Sequence, residues 1–193
     1  MNRLGLLYPS ELDDDGKSLY DELYAYTTAK YGTGKGIYIT KDGRFVGPFG
    51  AHLHIPIVGK QFLGMAKAVS QLVGLSPKHR EIAVLVTGAR FKAAYELYGH
   101  RLLALDRGIA EEEFNAILHG ECPATFTSDE KAVYVLADDL VNQPGPLSQE
   151  KWDAVANPIG KDTAVGLVQV VAFYSYVSTI LNGFDCKVPN ADD

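Results

Sequence analysis

Cysteine is scarce in this 193-residue chain: there are two, Cys122 and Cys186, 64 positions apart. They form no CxxC and no metal-ligand spacing, and the simplest reading is one or two free thiols. Positive charge is also short. Eighteen Lys and Arg against 24 Asp and Glu give a net charge of -6. A phosphate backbone is held by a basic face, so nucleic acid is not expected as a partner. The longest apolar run falls well short of about 18 residues, so no membrane partner is expected either. The opening Met1-Asn2-Arg3-Leu4, followed by Pro9 and the acidic stretch Glu11 to Asp15, has no signal-peptide core. A cytoplasmic location is therefore the expectation. There is no Gly-x-Ser-x-Gly, which disfavours a nucleophile-elbow hydrolase. Gly32-x-Gly34-Lys35-Gly36 lacks the spacing and the Ser/Thr of a phosphate-binding loop and reads as a flexible turn.

What is present is helical patterning. With 47% hydrophobic and 22% charged residues, the chain has the composition of a globular domain with a sizeable core. Residues 10 to 31 read as an amphipathic helix capped by Ser10, with Leu12, Leu19, Leu23 and Tyr26 at helical spacing. The segment 36–44 around Asp42-Gly43 reads as a short strand pair or a loop. Gly47-Pro48-Phe49-Gly50 reads as a turn. His54 to Gly74 is helical again. Ser76-Pro77 is a strong helix start. Helical character continues from there to Asp106, with a possible interruption at Gly88. Glu111 to Gly120 is a short helix, Ser128 caps the next, Ser148 caps one around Trp152, and Asp162 starts the last long one. At least six helices with short connections imply an all-α fold.

The chemistry concentrates between Arg80 and His100. Ala93, Glu96 and His100 fall at i, i+3 and i+7 on one expected helix, on an otherwise apolar face with Ala89, Leu97, Leu103 and Ala104. A carboxylate and an imidazole four apart on such a face are expected to pair, because an unpaired buried charge is costly. A buried Glu beside a His can act as a general acid/base pair near neutral pH. It can equally be a satisfied pair that only fixes register. His52 and His54 are ligand types, yet spacing of two places both on one side only in an extended segment, and no third ligand is evident. No metal is expected. His119-Gly120-Glu121-Cys122 sits at a helix end and reads as a solvated turn. Phe173, Tyr174 and Tyr176 read as core or subunit contact.

These residues resemble a known family. Arg80-Glu81-Ile82-Ala83, then Tyr95-Glu96 with His100, then Leu105, Gly108 and Ile109, look like the core of the carboxymuconolactone decarboxylase and AhpD-like family. Gly47-Pro48-Phe49, His54-x-Pro56 and the closing Gly166, Tyr174 and Leu181-Asn182 resemble it as well. The likeness covers roughly residues 47 to 183, so residues 1–193 would be a single domain of this kind with 1–46 as an N-terminal helical extension. In the AhpD branch a Glu precedes a CxxC whose second Cys lies four residues before a His. Glu81 and His100 match the outer residues. Ala93 and Glu96 stand at the two cysteine positions and Tyr95 at the His between them. A thiol peroxidase needs a thiolate there, so the resemblance points to the non-redox branch.

It implies an AhpD-like bundle in which Glu96 and His100 face the substrate and Glu81 holds the His or carries protons. Tyr95, His54 and Phe49 would bind the substrate. The implied activity is a cofactor-independent decarboxylase-type lyase acting on a small organic acid, either a lactone or a β-keto acid. Isomerisation, dehydration or ring opening by the same pair is the alternative. A non-catalytic oligomeric binding protein is a second reading, and a thiol peroxidase using Cys122 or Cys186 a weaker third. The last helix carries apolar residues nearly all round, from Val165 to Leu181, and such a helix must be buried on every side. A homodimer or homotrimer is therefore expected.

Overall fold

The computed structural model describes residues 2–32 and 37–189; the Gly34-Lys35-Gly36 turn and the last residues of the tail lie outside them. Among the described residues a 3-10 turn, Pro9–Glu11, precedes nine helices: α1 Asp14–Tyr31, α2 Gly47–His52, α3 Pro56–Ser70, α4 Pro77–Phe91, α5 Ala94–Asp106, α6 Glu111–Leu118, α7 Ser128–Asn142, α8 Gln149–Ile159 and α9 Lys161–Gly183. The all-α class holds. In place of a strand pair around Asp42-Gly43 there is an isolated antiparallel bridge between Ile39 and Phe45.

Local chemistry explains most boundaries and corrects several. Ser10 lies in the 3-10 turn, and the chain is extended again at Leu12. The cap of α1 is therefore Asp13, whose carboxylate accepts from the Gly16 N–H. Gly47-Pro48-Phe49-Gly50 is no turn; it opens α2, with Pro48 in the first helical positions, where a missing N–H costs nothing. Ser76 caps α4 and Ser148 caps α8 as expected. Thr127, one residue before Ser128, caps α7, and Glu130 closes its capping box.

The largest correction concerns residues 76 to 106. The helix does not break at Gly88, which lies inside α4. It breaks at Lys92 and Ala93. Lys92 adopts the left-handed conformation, φ 51° and ψ 38°, and the Lys92 and Ala93 N–H groups donate back to Ala89 and Gly88. So short a connection makes α4 and α5 an antiparallel hairpin. Gly88 serves its packing. A Cβ there would lie 3.2 Å from Leu97 Cδ2 and 3.6 Å from Glu96 Cγ, so the bare glycine lets α5 approach α4 closely where Glu96 sits.

The chain divides into two compact units, residues 1–68 with 180–193 and residues 69–179. In the first, Leu19, Leu23, Phe45 and Leu63 are fully buried. Rings of Tyr38, Phe45, Phe49 and Phe62 pack around them edge-on or tilted. In the second, α4 is central. It packs on α5, α6 and α7, and α7 packs on α8. Ile82, Ala83, Val84 and Leu85 are all 0% exposed, so α4 is enclosed on every side. The same core takes in Ala164, Leu167 and Val170 of α9. Yet α9 is not covered all round: Val165 is 47% and Tyr176 38% exposed. By length and composition alone α9 is apolar enough to cross a membrane, and 44% of that stretch is buried. Buried residues on one face and exposed ones on the other are what a partly covered core helix shows.

Candidate functional site

The second unit gathers Glu81, Glu96 and His100 into one cluster. Glu81 stands on the second turn of α4 and is 1% exposed. His100 stands mid-way along α5. The antiparallel hairpin brings these positions level, although 19 residues separate them. The Nδ1–H of His100 donates to Glu81 Oε2 at 2.7 Å. Its Nε2 lies 3.1 Å from Glu96 Oε1, one helical turn earlier on α5. Glu96 is itself 5% exposed. Both ring nitrogens are thus held by carboxylates, one from each helix.

Arg107 completes the cluster. Its Nη1 donates to Glu81 Oε1, so Glu81 binds a guanidinium with one oxygen and an imidazole with the other. The sequence reading missed Arg107. The signal was there: Arg107 follows His100 by seven residues, two helical turns along the same face of α5. Tyr174 of α9 meets His100 edge to face, ring centroids 5.2 Å apart and planes at 88°. It was read as core or subunit contact, and the structure puts it against the imidazole.

Electrostatics decides the state of His100. Burial works to strip its proton, but the charges of Glu81 and Glu96 and their hydrogen bonds outweigh that and raise its pKa from 6.5 to about 10. The ring is an imidazolium at neutral pH. Two carboxylates then face two cations, His100 and Arg107, and the buried charges balance. This differs from the expectation of a Glu96–His100 pair titrating near neutrality, because the charge of Glu81, which the resemblance implies at the His, adds to that of Glu96. Glu96 Oε2 is bound by no other side chain among the described residues. It is the free edge of the cluster.

The other expected site residues make contacts of their own. Tyr95, beside Glu96 in sequence, is 3% exposed and packs near the ring of Tyr98. Phe49 and His54 belong to the first unit. Phe49 is buried among aromatic rings. His54 is exposed, and its Nε2–H donates to the Gly5 carbonyl at 3.0 Å. His52 stacks on Phe62 with centroids 4.1 Å apart, and its Nδ1–H donates to the Pro48 carbonyl at 2.6 Å. Burial holds its pKa below the usual value. The two histidines therefore serve different backbone carbonyls. Among the described residues no group of three or more His, Cys, Asp and Glu is arranged to hold a metal ion.

The described residues line cavities in each unit, of which a pair stands out by the chemistry of its walls. One, about 310 Å³, lies in the first unit beside Tyr20, Tyr24, Tyr38 and Thr40. The other, about 440 Å³, lies in the second unit where α4 and α6 end against α7. Neither is lined by Glu81, Glu96 or His100.

No family model matches this sequence, and no curated protein matches it significantly. Solved structures do match. The AhpD-core, peroxidase-related protein of Ralstonia eutropha JMP134 superposes with a TM-score of 0.77, over 99% of this chain and 93% of that one, at 18% identity. The fold is that of the AhpD core. A cysteine-to-alanine variant of the debrominase Bmp8, in complex with 2,3,4-tribromopyrrole, shares the AhpD-like fold with a TM-score of 0.63 and 14% identity, over 74% of this chain and 77% of that one. At such identities the likeness is one of fold. Both cysteines are free, Cys122 exposed and Cys186 buried. Burial raises both thiol pKa values, that of Cys186 to about 11.

Proposed function

We propose that this chain is a cofactor-independent lyase of the carboxymuconolactone decarboxylase type, acting on a small lactone or β-keto acid through Glu96 and His100. The observation that carries the reading is the imidazolium clamped between Glu81 and Glu96, with Glu96 Oε2 free. The substrate supplies its own electron sink. When the bond to its carboxyl group breaks, carbon dioxide leaves and the electron pair passes into the neighbouring carbonyl, giving an enolate. A proton must then reach the carbon. The His100 Nε2–H protonates the Glu96 carboxylate, Glu96 passes that proton to the carbon and is a carboxylate again, and solvent then reprotonates the ring, so the relay ends where it began. Glu81 and Arg107 hold His100 in place and in charge. Isomerisation, dehydration or ring opening of a related substrate needs the same proton path. The bound tribromopyrrole of the debrominase supports a small planar substrate on this fold.

One observation favours a non-catalytic reading. The cluster is charge-balanced, as a purely structural pair would have it. Turnover separates the two. Carbon dioxide release is measured with benzoylacetate and with a carboxylated lactone. Saturable release, falling about 10²–10⁴-fold in Glu96→Gln with unchanged circular dichroism, supports the lyase. Release by the variant equal to that of the parent chain refutes it.

A further inference from the structure

The 440 Å³ cavity of the second unit is chemically distinct from the Glu81–His100 cluster. Its volume falls in the roughly 300–1,000 Å³ range of small-molecule sites. Arg90 and Lys92 stand at it, at the end of α4. The side chain of neither makes an ion pair or hydrogen bond among the described residues. Two free cations at one cavity are unusual in a chain of net charge -6. Lys92 is also the residue in left-handed backbone, at φ 51°. Glycine occupies such helix ends most cheaply, so a lysine there keeps its side chain at a conformational cost.

The rest of the lining completes a binding site. Tyr134 of α7 is 5% exposed, and its hydroxyl finds no hydrogen-bond partner among the described residues. Burial, reinforced by the charge of Asp138, raises its pKa to about 12, so it remains a neutral donor. His119, at the end of α6, uses Nδ1–H on the Asn115 carbonyl and keeps Nε2 for a ligand. Val86 and Ile117 give apolar wall. Asp138 accepts from the Asn142 amide at 2.6 Å and retains its second oxygen as an acceptor. We infer that this cavity binds a small organic acid: its carboxylate on Arg90 and Lys92, its apolar body on Val86 and Ile117, and a hydroxyl donor toward Asp138.

The test is isothermal titration calorimetry of the full chain with 4-hydroxybenzoate, at constant ionic strength set by potassium chloride. Saturable binding is expected, with benzoate weaker because it lacks the hydroxyl. Arg90→Gln and Lys92→Gly each remove one charge-assisted contact and should weaken binding about tenfold or more. Tyr134→Phe should weaken it several-fold. Lys92→Gly also relieves the left-handed lysine, so its Tm should be unchanged or raised while binding falls. That combination keeps the result apart from misfolding. Binding should survive Glu96→Gln, which leaves the α4–α5 cluster as the only part altered. Absence of saturable binding, affinity in the Arg90 and Lys92 variants as high as in the parent chain, or loss of binding in Glu96→Gln overturns the assignment.

Discussion

His100 Nδ1 lies 2.7 Å from Glu81 Oε2. A carboxylate on one helix thereby sets the orientation and the charge of an imidazole on the next. Glu81 is buried and Arg107 holds its other oxygen, so the carboxylate cannot turn away. If the lyase reading is right, Glu81 is a positioning residue and Glu96 the one that meets substrate.

That division predicts different outcomes for the two glutamates. Glu96→Gln should lower kcat about 10²–10⁴-fold. Glu81→Gln should lower kcat less and also lower the pKa of His100, because one of the two carboxylates that hold the proton is gone. Proton NMR titration of the imidazole reads this directly. An unmoved His100 titration in Glu81→Gln shows that Glu81 does not hold the charge.

Stability should follow pH through the same group. His100 has a folded pKa near 10 against 6.5 for the free side chain. The folded state binds the proton more tightly, so the contribution is complete below pH 6.5 and is lost as pH rises through 10. Tm should fall between pH 7 and pH 10, by about 2–4 °C for each kcal/mol lost. The comparison is with His100→Gln, whose fall should be shallower. Parallel curves for the two proteins refute the assignment.

Thiol chemistry should be dispensable. Replacing Cys122 and Cys186 by serine is expected to leave any turnover within about twofold of the parent chain, since both thiols titrate above their ordinary value and a protonated thiol is a poor nucleophile. Robust hydroperoxide reduction that vanishes in the double variant would reverse this view.

The apolar residues left uncovered predict self-association. On α9 Val165 and Tyr176 are 47% and 38% exposed, and on α5 Tyr98 and Leu102, one turn apart, are 38% and 57% exposed. A symmetric contact would remove such surface from water. Light scattering at micromolar concentration should give two or three times the 21.0 kDa of one chain, and Leu102→Glu or Val165→Glu should shift the mass downward. A mass that stays at one chain as concentration rises refutes it.

The sequence by itself determined the helical class and most helix starts, because caps and apolar spacing are local. Ser76, Ser148 and the run from Glu111 act within one turn of the chain. It also marked Glu96 and His100 as the polar residues of an apolar face, and a family resemblance added Glu81. Tertiary structure decided the rest. Whether the chain breaks at Gly88 or at Lys92 depends on what α5 packs against: Gly88 is needed bare because Leu97 and Glu96 lie over it. The charge on His100 depends on two carboxylates from different helices, and Arg107 joins them from the far end of α5. The exposed face of α9 likewise follows from how much core one chain can supply. Such quantities are sums over neighbours distant in sequence, and no local pattern records them.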